Sequence, residues 1–327
     1  MVATLTETLN SLYTTTWAKR REGIVDQVFE KNKLLLLLNQ KGMIKYEPTD
    51  GRRLEIPLRI TNPKTSRFFT KGGTFTISDF DPLTVAFDVW KNLGDQLVRY
   101  WEDDKINGGN KTQHLKMMNA KIDTMVDSLN LALETALWDS VGGASTLNYN
   151  GIQHLIATAP STSTVVLGIN QSTPPAGQGN FIWKNQQKTS GGVASIFMEA
   201  DMTILFNTCS RWGDISVMVS DQATQELGEA EALERVRVVN NEAVQLGLDH
   251  ITFKGRMWIW SPLAPSGNTY FIDRSHLGFS VDPSVNFTMG PWKPIPNQYE
   301  DVVTQIVQRG NFWVDKRQCH GVLTSQT

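Results

Sequence analysis

The spacing of hydrophobic residues changes several times along the chain, and each change marks an element. Residues 1 to about 20 are polar and Thr-rich, with Leu5, Leu9, Leu12 and Trp17 scattered among them, and read as an extended or weakly helical arm. From Arg20 to Gln40, Ile24, Val28, Leu35 and Leu38 can share one helical face, and Gly42 stops the pattern. The period then drops to two. Leu54, Ile56, Leu58 and Ile60 alternate with Arg53, Glu55, Pro57 and Arg59, a half-buried strand whose proline places it at an edge. Phe68 to Ile77, interrupted by Gly72-Gly73, is the expected returning strand, and Leu83, Val85, Phe87 and Val89 predict another. A two-stranded excursion of this kind is marginal alone, so it must lie on something else.

The longest regular pattern follows. Leu115, Met118, Ile122, Met125, Val126, Leu129, Leu133, Ala136 and Leu137 recur at three- and four-residue steps, with Asp123, Asp127 and Glu134 outside the stripe. This predicts an amphipathic helix from about Thr112 to Asp139, closed by Gly142-Gly143 and roughly 40 Å long. Residues 142–192 are rich in Gly, Ser, Thr and Pro and read as loops of a second domain. Val193 to Arg211 looks helical, and Ile215 to Val219 makes a short buried strand. Asp221–Leu227 and Glu229–Leu246 form two helical pieces split by Gly228. Ile251 to Trp260 alternates as one strand, and Tyr270-Phe271-Ile272 is another. Asp301 to Leu323 is a β-rich stretch broken at Gly310. Strands and helices in this order give an α+β class.

Composition narrows the function. The chain has 327 residues, which suggests about two domains, and 31 basic against 33 acidic residues give a net charge of −2. That balance excludes a protein held to nucleic acid by a globally basic surface. The small total hides two blocks. Lys41 to Lys71 holds eight basic and three acidic residues, a balance of +5, whereas Asp79 to Asp104 holds two basic and seven acidic, a balance of −5. Opposed blocks are either two solvated faces or a docking pair between copies of one chain, where charge complementarity sets register. The candidate contact residues are Arg52, Arg53, Arg59, Lys64, Arg67 and Lys71 on the basic side. On the acidic side they are Asp79, Asp81, Glu102, Asp103 and Asp104.

The residues that usually carry chemistry are few: 5 His and 2 Cys against 25 Gly and 10 Trp. No P-loop and no Gly-x-Ser-x-Gly elbow is present, and Gly177 and Gly179 form a lone pair in a polar loop without a preceding strand. Glu102-Asp103-Asp104 is explained by the dipole at the start of the long helix. Cys209 and Cys319 lie 110 residues apart, neither a disulfide framework nor a metal-ligand spacing. His320 follows Cys319, but no further ligands stand nearby in sequence. The N-terminus has no signal-peptide pattern, and the run Leu34 to Leu38 is far too short to span a bilayer. No catalytic residue, cofactor or metal is expected.

The order of parts, with certain stretches, resembles the major capsid (coat) protein of tailed bacteriophages, the Hong Kong 97 phage-type fold. The stretches are Tyr13 to Arg21 leading into Leu34 to Gly42, Gly151 to Ile156 after the long helix, Val217 to Asp221, Phe253-Lys254-Gly255, Tyr270 to Asp273, Gln308 to Phe312 and Arg317 to Leu323. The resemblance covers nearly the whole chain. It implies an N-terminal arm and short helix (1–45), an extended β-ribbon loop (46–84), a peripheral domain with the spine helix (85–148 and 288–327) and a mixed α/β axial domain (149–287). It implies a non-enzymatic subunit that self-assembles into pentamers and hexamers of an icosahedral shell around double-stranded DNA, touching that DNA without sequence preference. A bacterial nanocompartment shell of the same fold is the alternative. The implied partners are other copies of the chain, a separate scaffolding protein, a portal and, in some members, a decoration protein; no membrane is involved. The implied location is the virion capsid, assembled in the host cytoplasm. The covalent Lys–Asn cross-link of some members finds no matching motif here.

Overall fold

The structure is a computed structural model, and it describes residues 33–46, 53–59, 68–74, 83–102, 111–173, 183–190, 194–232 and 251–325. Its helices are α1 (Lys33–Gln40), α2 (Lys111–Leu137), α3 (Ile152–Leu155), α4 (Ala194–Ser210) and α5 (Gln222–Ala232). The strands of the first half are β1 (Ile44–Tyr46), β2 (Arg53–Arg59), β3 (Leu83–Val89), β4 (Lys91–Arg99), β5 (Val165–Val166), β6 (Ile169–Asn170) and β7 (Gln186–Thr189). Those of the second half are β8 (Val217–Ser220), β9 (Ile251–Phe253), β10 (Arg256–Trp260), β11 (Thr269–Ile272), β12 (Leu277–Val281), β13 (Thr288–Met289), β14 (Lys293–Pro294), β15 (Val302–Val314) and β16 (Gly321–Thr324).

Two sheets organise these elements. In the first, β15 is the central strand. β4 runs antiparallel along it from Val302 to Gly310. On the opposite edge β12, β13 and β14 follow one another, and β1 adds in parallel to β12. The spine helix α2 lies against β4, with Lys121 Nζ donating to the Val98 carbonyl at 3.4 Å. Its stripe of Ile122, Met125, Val126, Leu129, Leu133 and Leu137 is buried. The second sheet has the order β7-β16-β11-β8-β10-β9, with α4 against β7 and β16 and α5 against β10. The chain passes from the second sheet to the first at 273–276 and returns at 315–320. In α1, Leu34, Leu35, Leu37 and Leu38 are all buried, each contributing about 2 kcal/mol by leaving water. Among the described residues no helix is long and apolar enough to cross a membrane.

Several expected elements differ in detail. Of the helix expected over Arg20 to Gln40, only Lys33–Gln40 falls among the described residues. The returning partner of β2 is β3, not Phe68 to Ile77. Residues 68–74 carry a turn, with Gly72 at φ +85° and the Gly73 amide donating to the Thr70 carbonyl, and 75–77 lie outside the described residues. Ile251 to Trp260 is a hairpin rather than one strand. Lys254 and Gly255, at φ +50° and +76°, form the two-residue turn that reverses it.

Gly228 and Gly310 break nothing. α5 runs unbroken through Gly228, where a side chain would strike the Trp258 ring, its Cβ 2.4 Å away. β15 runs unbroken through Gly310, where a Cβ would come within 2.7 Å of the Ser280 carbonyl. Both glycines permit close approach. The second helical piece beyond 232 lies outside the described residues.

Candidate assembly surface and its buried anchor

The β2–β3 ribbon has two unlike faces. In its register Leu54, Ile56 and Leu58 stand opposite Asp88, Ala86 and Thr84, and directly opposed residues share a face. Leu54, Ile56, Leu58 and Ala86 join the main apolar cluster of the subunit. The other face carries Arg53, Glu55, Pro57 and Arg59, all exposed, beside Leu83 and Val85, which are 62% and 47% exposed. Beyond β2, Phe68 is fully exposed and Phe69 largely so. The alternation in β3 therefore runs in the opposite phase to its hydrophobicity: Asp88 points inward and Leu83 and Val85 point outward.

The root of the ribbon is seated by the β5–β6 hairpin. Its turn residues Leu167 and Gly168 have φ +50° and +77°, the backbone of a two-residue hairpin turn. The Phe87 amide donates to the Leu167 carbonyl at 3.0 Å. A Cβ on Gly168 would lie 2.7 Å from the Phe87 ring. The Arg53 guanidinium also sits 4.7 Å from the Phe87 centroid, worth about 0.5–1 kcal/mol.

Of the residues expected at inter-subunit contacts, the structure describes Arg53, Arg59, Lys71 and Glu102, and all four are exposed. Arg52, Lys64, Arg67, Asp79, Asp81, Asp103 and Asp104 lie outside the described residues. The acidic block is less of a surface than its charge count suggests, since Asp88 is buried. A cleft of about 470 Å³ between α2 and β4 is lined by Asn92, Ala132, Thr135 and Tyr149. Leu131 and Leu147, 61% and 92% exposed, stand on its rim.

Below the ribbon lies a buried polar anchor. Asp88 Oδ2 accepts from Asn150 Nδ2 at 2.5 Å. Lys91 Nζ donates to the Gly143 carbonyl, Thr146 Oγ1 and Asn150 Oδ1 at 3.0, 2.8 and 3.3 Å. Burial holds the Lys91 ammonium below its usual range, and Asp88 offsets part of that. Asn311 of β15 closes the ring: its Oδ1 accepts from the Asn150 amide and its Nδ2 donates to the Val89 carbonyl, both at 3.0 Å. One network thus fastens the root of the ribbon, the exit of the spine helix and the central strand.

A second hub is Arg317. Its guanidinium donates to the carbonyls of Leu155 and Trp183 at 2.8 Å and to Gln171 Oε1 and Asn185 Oδ1 at 3.1 and 3.2 Å. All four acceptors are neutral, and burial pushes the Arg317 pKa down to about 9. The polar groups of both hubs hold backbone segments together, and none of them pairs a nucleophile with a base.

The sequence pattern did not single out Asp88, Lys91, Asn150, Asn311 or Arg317. Each meets partners more than 50 residues away, so no spacing rule could find them.

No family model and no curated protein matches the chain. Solved structures do, along most of its length. The chain is similar to the cyanophage A-1(L) capsid at a TM-score of 0.62 and 11% identity, over 89% of this chain and 93% of that one. It is similar to the capsid of a GTA particle at a TM-score of 0.57 and 10% identity, over 88% and 89%. It is also similar to the SrpI encapsulin complex of Synechococcus elongatus PCC 7942 at a TM-score of 0.56 and 10% identity, over 88% and 87%. The chain has the phage capsid-protein fold. In particular it is the Hong Kong 97 phage-type fold expected from the sequence, a mixed α+β architecture with a spine helix and a terminal strand system.

Proposed function

We propose that the chain is the major capsid subunit of a tailed phage, assembling into pentamers and hexamers of an icosahedral shell around double-stranded DNA. The observation that carries this reading is the agreement of fold over about nine-tenths of both chains with phage capsid proteins. The ribbon supports it: its outer face puts two arginines beside Leu83 and Val85 in solvent, and Phe68 and Phe69 are exposed as well. Burying such a face against a neighbouring copy, repeated head-to-tail around a ring and then between rings, closes a shell.

On this reading residues 1–45 form the arm and 46–84 the loop that reaches a neighbour. Residues 85–148 and 288–327 form the peripheral part and 149–287 the axial part, amended in that β12 goes with its partner β15 in the former and β16 with its partners β7 and β11 in the latter. The cleft between α2 and β4 is a receptor for a neighbour's ribbon. A scaffolding protein and a portal complete the assembly in the host cytoplasm, and the interior contacts DNA through dispersed rather than concentrated charge. The likeness to an encapsulin supports a second reading, a shell that encloses an enzyme.

Electron microscopy of the purified full chain tests the first step: closed shells or capsomer rings are expected, and a persistent monomer at high concentration overturns it. The contents of particles from the native source, DNA or a cargo enzyme, decide between the two readings. Charge reversal at Arg52 and Arg53 should impair shell formation while the subunit stays folded; normal particles from that double variant would refute the docking role of the basic block.

A further inference from the structure

The two passages between the sheets, 273–276 and 315–320, run side by side, with the Asp315 amide donating to the His276 carbonyl at 3.3 Å. They bring together three different ligand-bearing side chains. A carboxylate oxygen of Asp273, a ring nitrogen of His276 and the Cys319 sulfur all lie within 4.8 Å of one another. Asp273 and Cys319 are buried, and His276 is partly open to solvent. We propose that Asp273, His276 and Cys319 form a site for one divalent transition-metal ion of zinc type, which clasps the two passages where the chain changes sheets.

Four features of the site support this. First, the donor set of one carboxylate, one imidazole and one thiolate is the mixture that selects zinc over magnesium or calcium. Second, His276 Nδ1 lies 2.9 Å from Asp315 Oδ1. With the proton on Nδ1 the ring is oriented and Nε2 keeps its lone pair, the arrangement found behind metal-bound histidines.

Third, both Asp273 oxygens are held by backbone amides, Oδ1 by Ser275 at 2.9 Å and Oδ2 by Asp214 at 3.0 Å. Each oxygen retains a further lone pair for a cation. Fourth, residue 213 is glycine where any side chain would intrude: its Cβ would lie 2.6 Å from Asp273 Oδ2 and 2.5 Å from Cys319 Cβ. The gap between the two buried ligands stays open for that reason.

Charge and protons balance. Without metal, the Cys319 thiol donates to the Lys316 carbonyl at 2.8 Å. On binding, that proton leaves to solvent and the thiolate takes the cation. A dipositive ion, one carboxylate and one thiolate then sum to zero in the buried part of the site. Water on the open His276 side completes the coordination. Cys209 lies in the same region, with its sulfur against Gly321, but it is not needed as a ligand.

The test uses the full chain, stripped with chelator and titrated with Co²⁺ as the spectroscopic probe. One equivalent should bind per chain, with the thiolate-to-cobalt charge-transfer absorption that only a sulfur ligand produces. Cys319→Ser should abolish that absorption, His276→Ala should weaken Co²⁺ binding at least tenfold, and Cys209→Ser should leave both unchanged. His276 is partly exposed, so His276→Ala is expected to fold, and circular dichroism checks each variant. Absence of the charge-transfer band in folded wild-type protein overturns the proposal. So does a band that survives Cys319→Ser or is lost in Cys209→Ser.

Discussion

His154 gives the most direct check on the electrostatics of the interior. It sits in α3, buried, with its ring against Gly142, where a Cβ would come within 2.4 Å of Cδ2. Burial is the main cause that lowers its pKa from 6.5 to about 4. Arg317 and Lys91 push it further down, and Asp88 opposes them. A histidine whose folded pKa lies below its unfolded value binds fewer protons in the folded state between those two values. Its contribution is therefore in place above about pH 6.5 and is lost as the pH falls toward 4. The full shift corresponds to about 3 kcal/mol, and roughly 2 kcal/mol of it is lost between pH 7 and pH 5.

The assay is urea denaturation of the unassembled full chain at a series of pH values, for wild type and His154→Gln. His320, also pushed down to about 4 by burial, is present in both proteins and cancels in the comparison. The wild type should lose about 2 kcal/mol more than His154→Gln between pH 7 and pH 5. Equal losses in the two proteins would refute the placement of a neutral, buried imidazole between Arg317 and Lys91.

Two further outcomes follow from packing. Arg317→Met strands two backbone carbonyls and two side-chain oxygens in the interior, and should cost about 3 kcal/mol of unfolding free energy by urea titration; a loss under about 1 kcal/mol would show that those acceptors find other donors. Gly228→Ala drives a methyl into the Trp258 ring and should destabilise by about 1–3 kcal/mol, with a visible change in tryptophan emission; an unchanged melting temperature would mean that α5 shifts away freely.

What was legible in the sequence follows from the range of the physics. Period two over Arg53 to Arg59 gave β2 with its phase, because that strand has one wet and one dry face. The three- and four-residue steps gave α2 to within two residues at each end. β4 was not legible. Its inward positions include Lys91 and Arg99, so burial there follows hydrogen bonding rather than hydrophobicity, and only β15, some two hundred residues later, completes it. β3 was legible as a strand but with the wrong face inward, because Asp88 is buried by Asn150 and Val85 is not buried within the subunit. Glycine was the other weak signal. At Gly228 and Gly310 it marks two surfaces in contact, and the sequence shows the missing side chain without the Trp258 ring or the Ser280 carbonyl that requires it. The Asp273, His276 and Cys319 cluster was hidden for the same reason, since His320 beside Cys319 offered a sequence neighbour whereas the fold supplies spatial ones.

The junction at Trp90 has a mechanical consequence. β3 ends at Val89 and β4 begins at Lys91, so the ribbon and the first sheet are one almost continuous run of extended chain. On the proposed function, tension entering at Leu83 from a neighbouring copy would travel lengthwise into β4, which is bonded to β15 from Lys91 to Arg99. A strand pulled along its own axis must slide past its partner, and the whole ladder resists together. A strand pulled sideways peels off one pair at a time. Asn150 and Asn311 fasten the end of β3 to β15 at this junction. A shell built from such subunits would carry internal pressure from copy to copy as shear.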